Sequence, residues 1–187
     1  LGDSPEKFRM ALQALRVCTS FAAQPVHADV VHCHTWYAHF GGLLTKILYG
    51  IPLLITAHSL EPLRPWKREQ LGSGYEASAW VERQALEGAD AVIAVSDASR
   101  HDVLAHFDVD PARIHVIHNG IDAEAFAPDA GTEALERHGI APNQPYVLFV
   151  GRLTRQKGIA TLAAAISHLD PRIGVVLAAG QPDTPEL

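Results

Sequence analysis

Tyr146-Val-Leu-Phe-Val150, then Gly151-Arg152-Leu-Thr-Arg155-Gln-Lys157-Gly158, then Ile159 to His168, is the stretch whose reading decides the fold. It reads as a strand, a tight loop carrying three cationic side chains, and a helix. Val147 to Val150 form an unbroken apolar run, the pattern of a parallel strand covered on both faces. Gly151 permits a sharp turn at the strand's carboxyl end, and Gly158 marks the entrance to the helix. Arg152 and Lys157 are thereby expected over a helix N-terminus, where unpaired N–H groups and peptide dipoles already favour an anion. A guanidinium grips phosphate through two parallel hydrogen bonds, and an ammonium adds a compact point charge. Two readings of the loop stand at this point: a diphosphate grip, or a solvated basic loop.

Outward from that stretch the same alternation recurs. Asp29–Cys33, Pro52–Thr56, Ala91–Val95 and Ile114–Ile117 are short apolar runs of strand length, and Ile173–Ala178 is a last one. Between them lie helical patterns. Ser4-Pro5-Glu6 is a helix start, followed by Phe8, Ala11, Leu12, Leu15 and Cys18 at helical spacing. Further helices are expected from about Ala38 to Tyr49, closed by Gly50, from Tyr75 to Leu86, and from a Ser96 cap to about His106. Such alternation implies right-handed βαβ units and a parallel sheet. The texture changes from Ala123 to Pro145, which reads as a linker with one short helical piece around Glu133–His138. The expected organisation is a domain over 1–122, a linker over 123–145 and a second domain over 146–187. The segment from Ala57 to about Gly74 exceeds the usual length of a compact connection and is expected to be functional or mobile.

Composition excludes several classes. With 48% hydrophobic and 19% charged residues the chain is of ordinary globular type. No apolar run approaches the roughly 20 residues of a membrane-spanning helix. Leu1-Gly-Asp-Ser lacks the basic region and apolar core of a secretory signal, and also an initiator Met, so the chain is read as beginning within a longer one. A net charge of −6 argues against nonspecific binding to nucleic acid. Two cysteines, Cys18 and Cys33, are too few for a disulfide framework, which points to a reducing cytoplasm.

In a sheet of this kind, ligands bind beyond the carboxyl ends of the strands. His32-Cys33-His34 follows the first strand, with His39 nearby. Thr56-Ala-His58-Ser59 follows the second, Ser96 the third, and Asn119-Gly120 the fourth. Each alone fits a cap or a satisfied histidine, but together at one sheet edge they indicate a shared cleft. His32 and His34 share one strand face with Cys33 opposite, yet no second ligand pair appears at zinc spacing, so no metal is assigned. Asp108-Val-Asp110 sits before Pro111 and is read as a turn. Neither a G-x-G-x-x-G nor a G-x-S-x-G occurs.

His32-Cys-His34-Thr-Trp-Tyr, Thr56-Ala-His58-Ser59-Leu-Glu-Pro, Ala89-Asp-Ala-Val-Ile-Ala-Val-Ser96, His118-Asn-Gly-Ile-Asp122 and Gly151-Arg152-Leu-Thr-Arg-Gln-Lys157-Gly158 occur in that order. This succession resembles the retaining GT-B glycosyltransferases of family 4, most of all the bacterial glycogen synthases of actinobacterial type. The segment Ser59 to Tyr75 and the Leu-Thr-Arg-Gln-Lys-Gly loop carry the closer likeness. The resemblance implies an α/β fold of two facing Rossmann-like domains, each only partly contained in these residues. The family's first strand and its glycine-rich loop are expected before Leu1, and an E-x7-E segment after Leu187, so the 187-residue chain alone is expected to be inactive.

The implied activity moves glucose from a nucleotide-diphosphate donor, ADP-glucose by the resemblance, to an α-1,4-glucan or sugar-phosphate acceptor with retention of configuration. No cofactor or metal is implied. Matched motif by motif, Arg152 and Lys157, with Gly151, hold the donor diphosphate and stabilise its growing charge. His58 sits against the reacting sugar, and His34, Ser96 and Asn119 line the cleft. The segment Glu61–Gly74 approaches the acceptor. Exposed strand edges leave self-association open. Another family 4 transferase, of sucrose, trehalose or cell-envelope type, and a noncatalytic nucleotide-sugar-binding module are the alternatives.

Overall fold

The computed structural model describes residues 6–68, 72–129, 131–141, 143–154 and 157–181. The chain divides into two compact units, Leu1–Ile121 and Asp122–Leu187.

The first unit is built from four short apolar strands separated by helices. Helix α1 spans Glu6–Ala22 and strand β1 Val31–His34; the expected Ser4-Pro5 start lies outside the described residues. Then come α2 (Trp36–Tyr49), β2 (Leu53–Ala57), α3 (Gly74–Gly88), β3 (Ala91–Ala94), α4 (Asp97–His106) and β4 (Ile114–Val116). The strands pair side by side in chain order, all parallel, with Val31 opposite Leu53, Thr56 opposite Ile93 and Ala94 opposite Val116. Consecutive order follows from the connections, each of which crosses over one helix and returns beside the strand it left. A parallel sheet makes all four carboxyl ends fall at one edge.

The core explains why these runs are apolar. Leu53, Ile55, Val92, Ala94, Ala85 and Leu86 are wholly buried, and Cys33, Val103, Phe107 and Ile114 pack with them. Helix α2 lies unusually close to the sheet. A Cβ at Gly42 would collide with Cys33 Sγ and stand 2.7 Å from a Leu53 methyl, so only glycine fits. Gly50 ends α2 in the left-handed conformation, φ +68, and its N–H donates to Lys46 O at 2.9 Å. Asp90 fastens the sheet's amino edge: it accepts from Leu53 N at 2.8 Å and pairs with Lys46 Nζ at 2.8 Å. Those two bonds hold its carboxyl below the ordinary range.

The segment after β2, long and rich in polar residues in the sequence, is not simply solvated. It contains a 3₁₀ turn at Glu61–Leu63, and Glu61 is 1% exposed and Lys67 7% exposed. Polar composition pointed to solvent, whereas mutual pairing buries these charges.

The second unit opens with turns and a five-residue helix, α5 (Glu133–Arg137). Strand β5 (Tyr146–Val150) then pairs in parallel with β6 (Gly174–Ala178), joined through α6 (Ile159–Ile166). The expectation that β5 is covered on both faces is corrected. Tyr146, Leu148 and Val150 are exposed, Val150 by 71%, while Val147 and Phe149 are half-buried. Two strands and one eight-residue helix offer too little apolar surface to bury a strand from both sides. Among the described residues, no helix is long and apolar enough to cross a membrane.

Candidate active site

The polar residues singled out from the sequence occupy the carboxyl edge of the four-stranded sheet. His34 is the last residue of β1, His58 follows β2 directly, Ser96 stands just past β3 and Asn119 past β4. The alternation of β1 puts His32 and His34 on an exposed face and turns Cys33 into the core. Parallel pairing in register sets His34 opposite Thr56, two residues before His58. Two direct contacts result. His34 Nδ1 and His58 Nε2 share a hydrogen bond at 2.9 Å, and His32 Nε2 bonds Thr56 Oγ1 at 2.8 Å. The rings also lie against one another in sequence, His32 tilted against His34 at 4.4 Å and His34 stacked on His58 at 5.2 Å between centroids. Partial burial, together with the neighbouring imidazoles, pushes the basicity of His32 down.

Other parts of the edge behave differently. Ser96 is half-buried and its Oγ accepts from Ser99 N at 3.0 Å, so its hydroxyl serves first as the cap of α4. Asn119 is exposed. His39, grouped with the edge histidines by sequence, is instead 2% exposed inside α2, and both of its ring nitrogens lack a partner. Burial drives its pKa down to about 4. Thr35, between His34 and α2, holds φ +67, the one positive value at a non-glycine among the described residues. A β-branched residue in that region is strained, and such strain concentrates where side chains must be aimed.

Behind His58 lies a cluster that sequence reasoning missed. Glu61 accepts from Lys67 Nζ at 2.6 Å and from Ser78 Oγ at 3.1 Å, and its backbone carbonyl accepts from the Tyr75 hydroxyl at 2.6 Å. Its backbone N–H donates to Glu82 Oε2 at 2.6 Å. Glu82 is 2% exposed, and desolvation raises its pKa to about 7. Arg64 joins from the loop side, 3.7 Å from Glu61 Oε1, while donating to Ser59 Oγ at 3.1 Å. The signal was available in α3, where Tyr75, Ser78 and Glu82 form a polar stripe at the spacing normally taken by apolar residues.

In the second unit, Gly151 has φ +152, a conformation natural only to glycine, and Gly158 enters α6 at φ +72. Between them buried Thr154 shapes the loop: Lys157 N donates to its carbonyl at 3.0 Å and lies 3.3 Å from its hydroxyl. The side chains of Arg152 and Lys157 are both exposed, and α6 begins without a side-chain cap. Arg155 lies outside the described residues. Among the described residues, no group of three or more His, Cys, Asp or Glu is arranged to hold a metal. An open hollow of about 550 Å³ lies elsewhere, lined by Pro25–Asp29, Tyr49 and Ile51, and includes none of these groups.

A parallel α/β unit with a polar carboxyl edge is thus followed, along the chain, by a strand–basic loop–helix unit. Residues 2–125 match the model of Glycosyltransferase Family 4, and the chain belongs to that family. It is 54% identical over 164 residues to the alpha-maltose-1-phosphate synthase of Mycolicibacterium smegmatis, covering 86% of this chain and 42% of that one. The enzyme of the same name from Mycobacterium tuberculosis is 49% identical over 181 residues, 95% of this chain and 47% of the other. Among solved structures, sucrose-phosphate synthase from Thermosynechococcus elongatus matches with a TM-score of 0.74 at 25% identity, over 97% of this chain and 44% of that one. The Anabaena protein HepE in complex with UDP-glucose matches with a TM-score of 0.67 at 19% identity, over 94% and 45%. The fold is therefore the parallel α/β fold of GT-B glycosyltransferases, and the chain spans a little under half the length of these relatives.

Proposed function

We propose that this chain is part of a retaining glucosyltransferase that moves glucose from a nucleotide-diphosphate glucose, ADP-glucose by the resemblance, to a glucose 1-phosphate acceptor. The observation that carries this is the 49% identity to an alpha-maltose-1-phosphate synthase across 95% of the chain. A product holding two glucose units and one phosphate favours a sugar phosphate over the α-1,4-glucan of a glycogen synthase as acceptor. A relative named D-inositol 3-phosphate glycosyltransferase, 32% identical over 166 residues, carries a phosphorylated cyclic polyol in its name.

The residues take the following parts. Exposed Arg152 and Lys157, on the loop turned by Gly151 and Gly158, hold the donor diphosphate. As the bond from glucose C1 to the diphosphate oxygen breaks, that oxygen gains charge, and fixed cations lower the barrier there. His58 meets the reacting sugar, with His34 beside it, Asn119 further along the same sheet edge and Ser96 supporting the edge through α4.

The test uses the longest natural chain that contains this sequence, supplied with ADP-, UDP- or GDP-linked sugars and with glucose 1-phosphate or glycogen. ADP-glucose with glucose 1-phosphate is expected to give maltosyl phosphate. Lys157→Ala is expected to lower kcat by about 10²-fold or more; unchanged turnover sinks the assigned role. Tight donor binding without turnover on any acceptor would favour the noncatalytic module instead. The 187-residue chain by itself is expected to turn over no donor.

A further inference from the structure

We propose that His34 is a positioning residue: through Nδ1 it fixes the tautomer and ring plane of His58, leaving His58 Nδ1 as the atom that meets a sugar hydroxyl. This rests on the reading of His58 given above. A neutral imidazole has one N–H and one lone pair. In the 2.9 Å bond between His34 Nδ1 and His58 Nε2, one nitrogen must carry the hydrogen and the other must accept it. If His34 donates, His58 carries its own hydrogen on Nδ1; if His58 donates, its Nδ1 is a bare lone pair. The state of one ring therefore dictates what the other presents.

The arrangement is held from the sheet rather than by chance contact. The His32 ring lies tilted against His34 and is itself tied to Thr56, a buried residue of β2. His34 and Thr56 are register partners, and the bond to His58 closes the ladder two residues further on. The Ser99 hydroxyl reaches Ala57 O at 3.4 Å, which steadies the residue before His58. An exposed imidazole without such a partner has a broad, two-fold ring torsion. Among the described residues, no protein group takes His58 Nδ1, so that nitrogen remains for a ligand. The titratable groups that interact with the pair are His32 from β1 and His39 from α2.

Two measurements decide the matter. Nitrogen-15 spectra of the chain are expected to show a scalar coupling between His34 Nδ1 and His58 Nε2 across the shared hydrogen; its absence overturns the pairing, whatever turnover does. In the longest natural chain, His34→Phe is expected to lower kcat about three- to tenfold, with KM for the donor within about twofold. His34→Asn, whose amide sits where Nδ1 sat, should recover most of the loss, and His34→Gln, whose amide sits where Nε2 sat, should not. These two amides keep the test open if the Phe variant fails to fold. Equal turnover in both overturns the role. Turnover that survives His58→Ala would overturn the reading of the site on which the inference rests, and leaves the nitrogen–nitrogen coupling to report separately on the pairing.

Discussion

Two regions built on the segment after β2 treat charge in opposite ways. At His58, the first residue past the strand, the polar groups are exposed and touch one another by single hydrogen bonds. Three residues later, Glu61 and four polar side chains that bond to it, from Lys67 and from Tyr75, Ser78 and Glu82 of α3, are buried. Exposed bonds of the first kind contribute little to stability, whereas a buried ion pair is costly to break once formed. The difference assigns the tasks. The buried cluster fixes where the segment lies against α3, and the edge can then be polar and accessible without wandering.

The sharpest way to break that contrast is to remove one partner from each region. Lys67→Met leaves two carboxylates facing each other in a dry site, with Arg64 as the remaining cation at 3.7 Å from Glu61. The expected loss is about 3–5 kcal/mol in a denaturant titration. His58→Ala, at an exposed position, should change stability by only about 0.5 kcal/mol. If the two variants unfold at the same denaturant concentration, the cluster does not anchor the segment.

Part of this was legible in the residues. Four apolar runs separated by helical patterns fix a parallel sheet, and the strand ends fell within about two residues of their predicted places because Gly50, Asp90 and Ser96 punctuate them. The carboxyl-edge location of His34, His58 and Asn119 followed from that alone. Their contacts did not, because strand register sets who meets whom and nothing in a single strand specifies it. Glu61 escaped because a charged residue between Leu60 and Pro62 in a polar loop looks solvated, and its partners are contributed by a helix it reaches only after folding. His39 escaped for the converse reason: its position on the inner face of α2 outweighed its polarity. The strand β5 misled because an apolar run reports what a strand can pack against, not how much of it this unit covers.

Two buried groups, Glu82 in the cluster and His39 inside α2, also give opposite dependences on pH, which provides the finer test. Glu82 is pushed from an ordinary 4.5 up to about 7, so the folded chain binds more protons than the unfolded one between those values. Stability therefore falls as pH rises through that window, and the loss is complete above about 7. His39 is pushed from 6.5 down to about 4, so there the unfolded chain binds more protons. Its contribution is fully present above 6.5 and is lost as pH falls toward 4. Each effect amounts to at most about 3 kcal/mol, and the slopes oppose each other where the windows overlap. The parent chain should therefore show little change from these two groups across that overlap. Glu82→Gln keeps an acceptor for Glu61 N and should unmask stability that rises with pH from about 4 to 6.5. His39→Leu should unmask the reverse slope, and the double variant should again be nearly flat. Single variants that both retain the parent's flat profile would mean that neither group changes its protonation on folding.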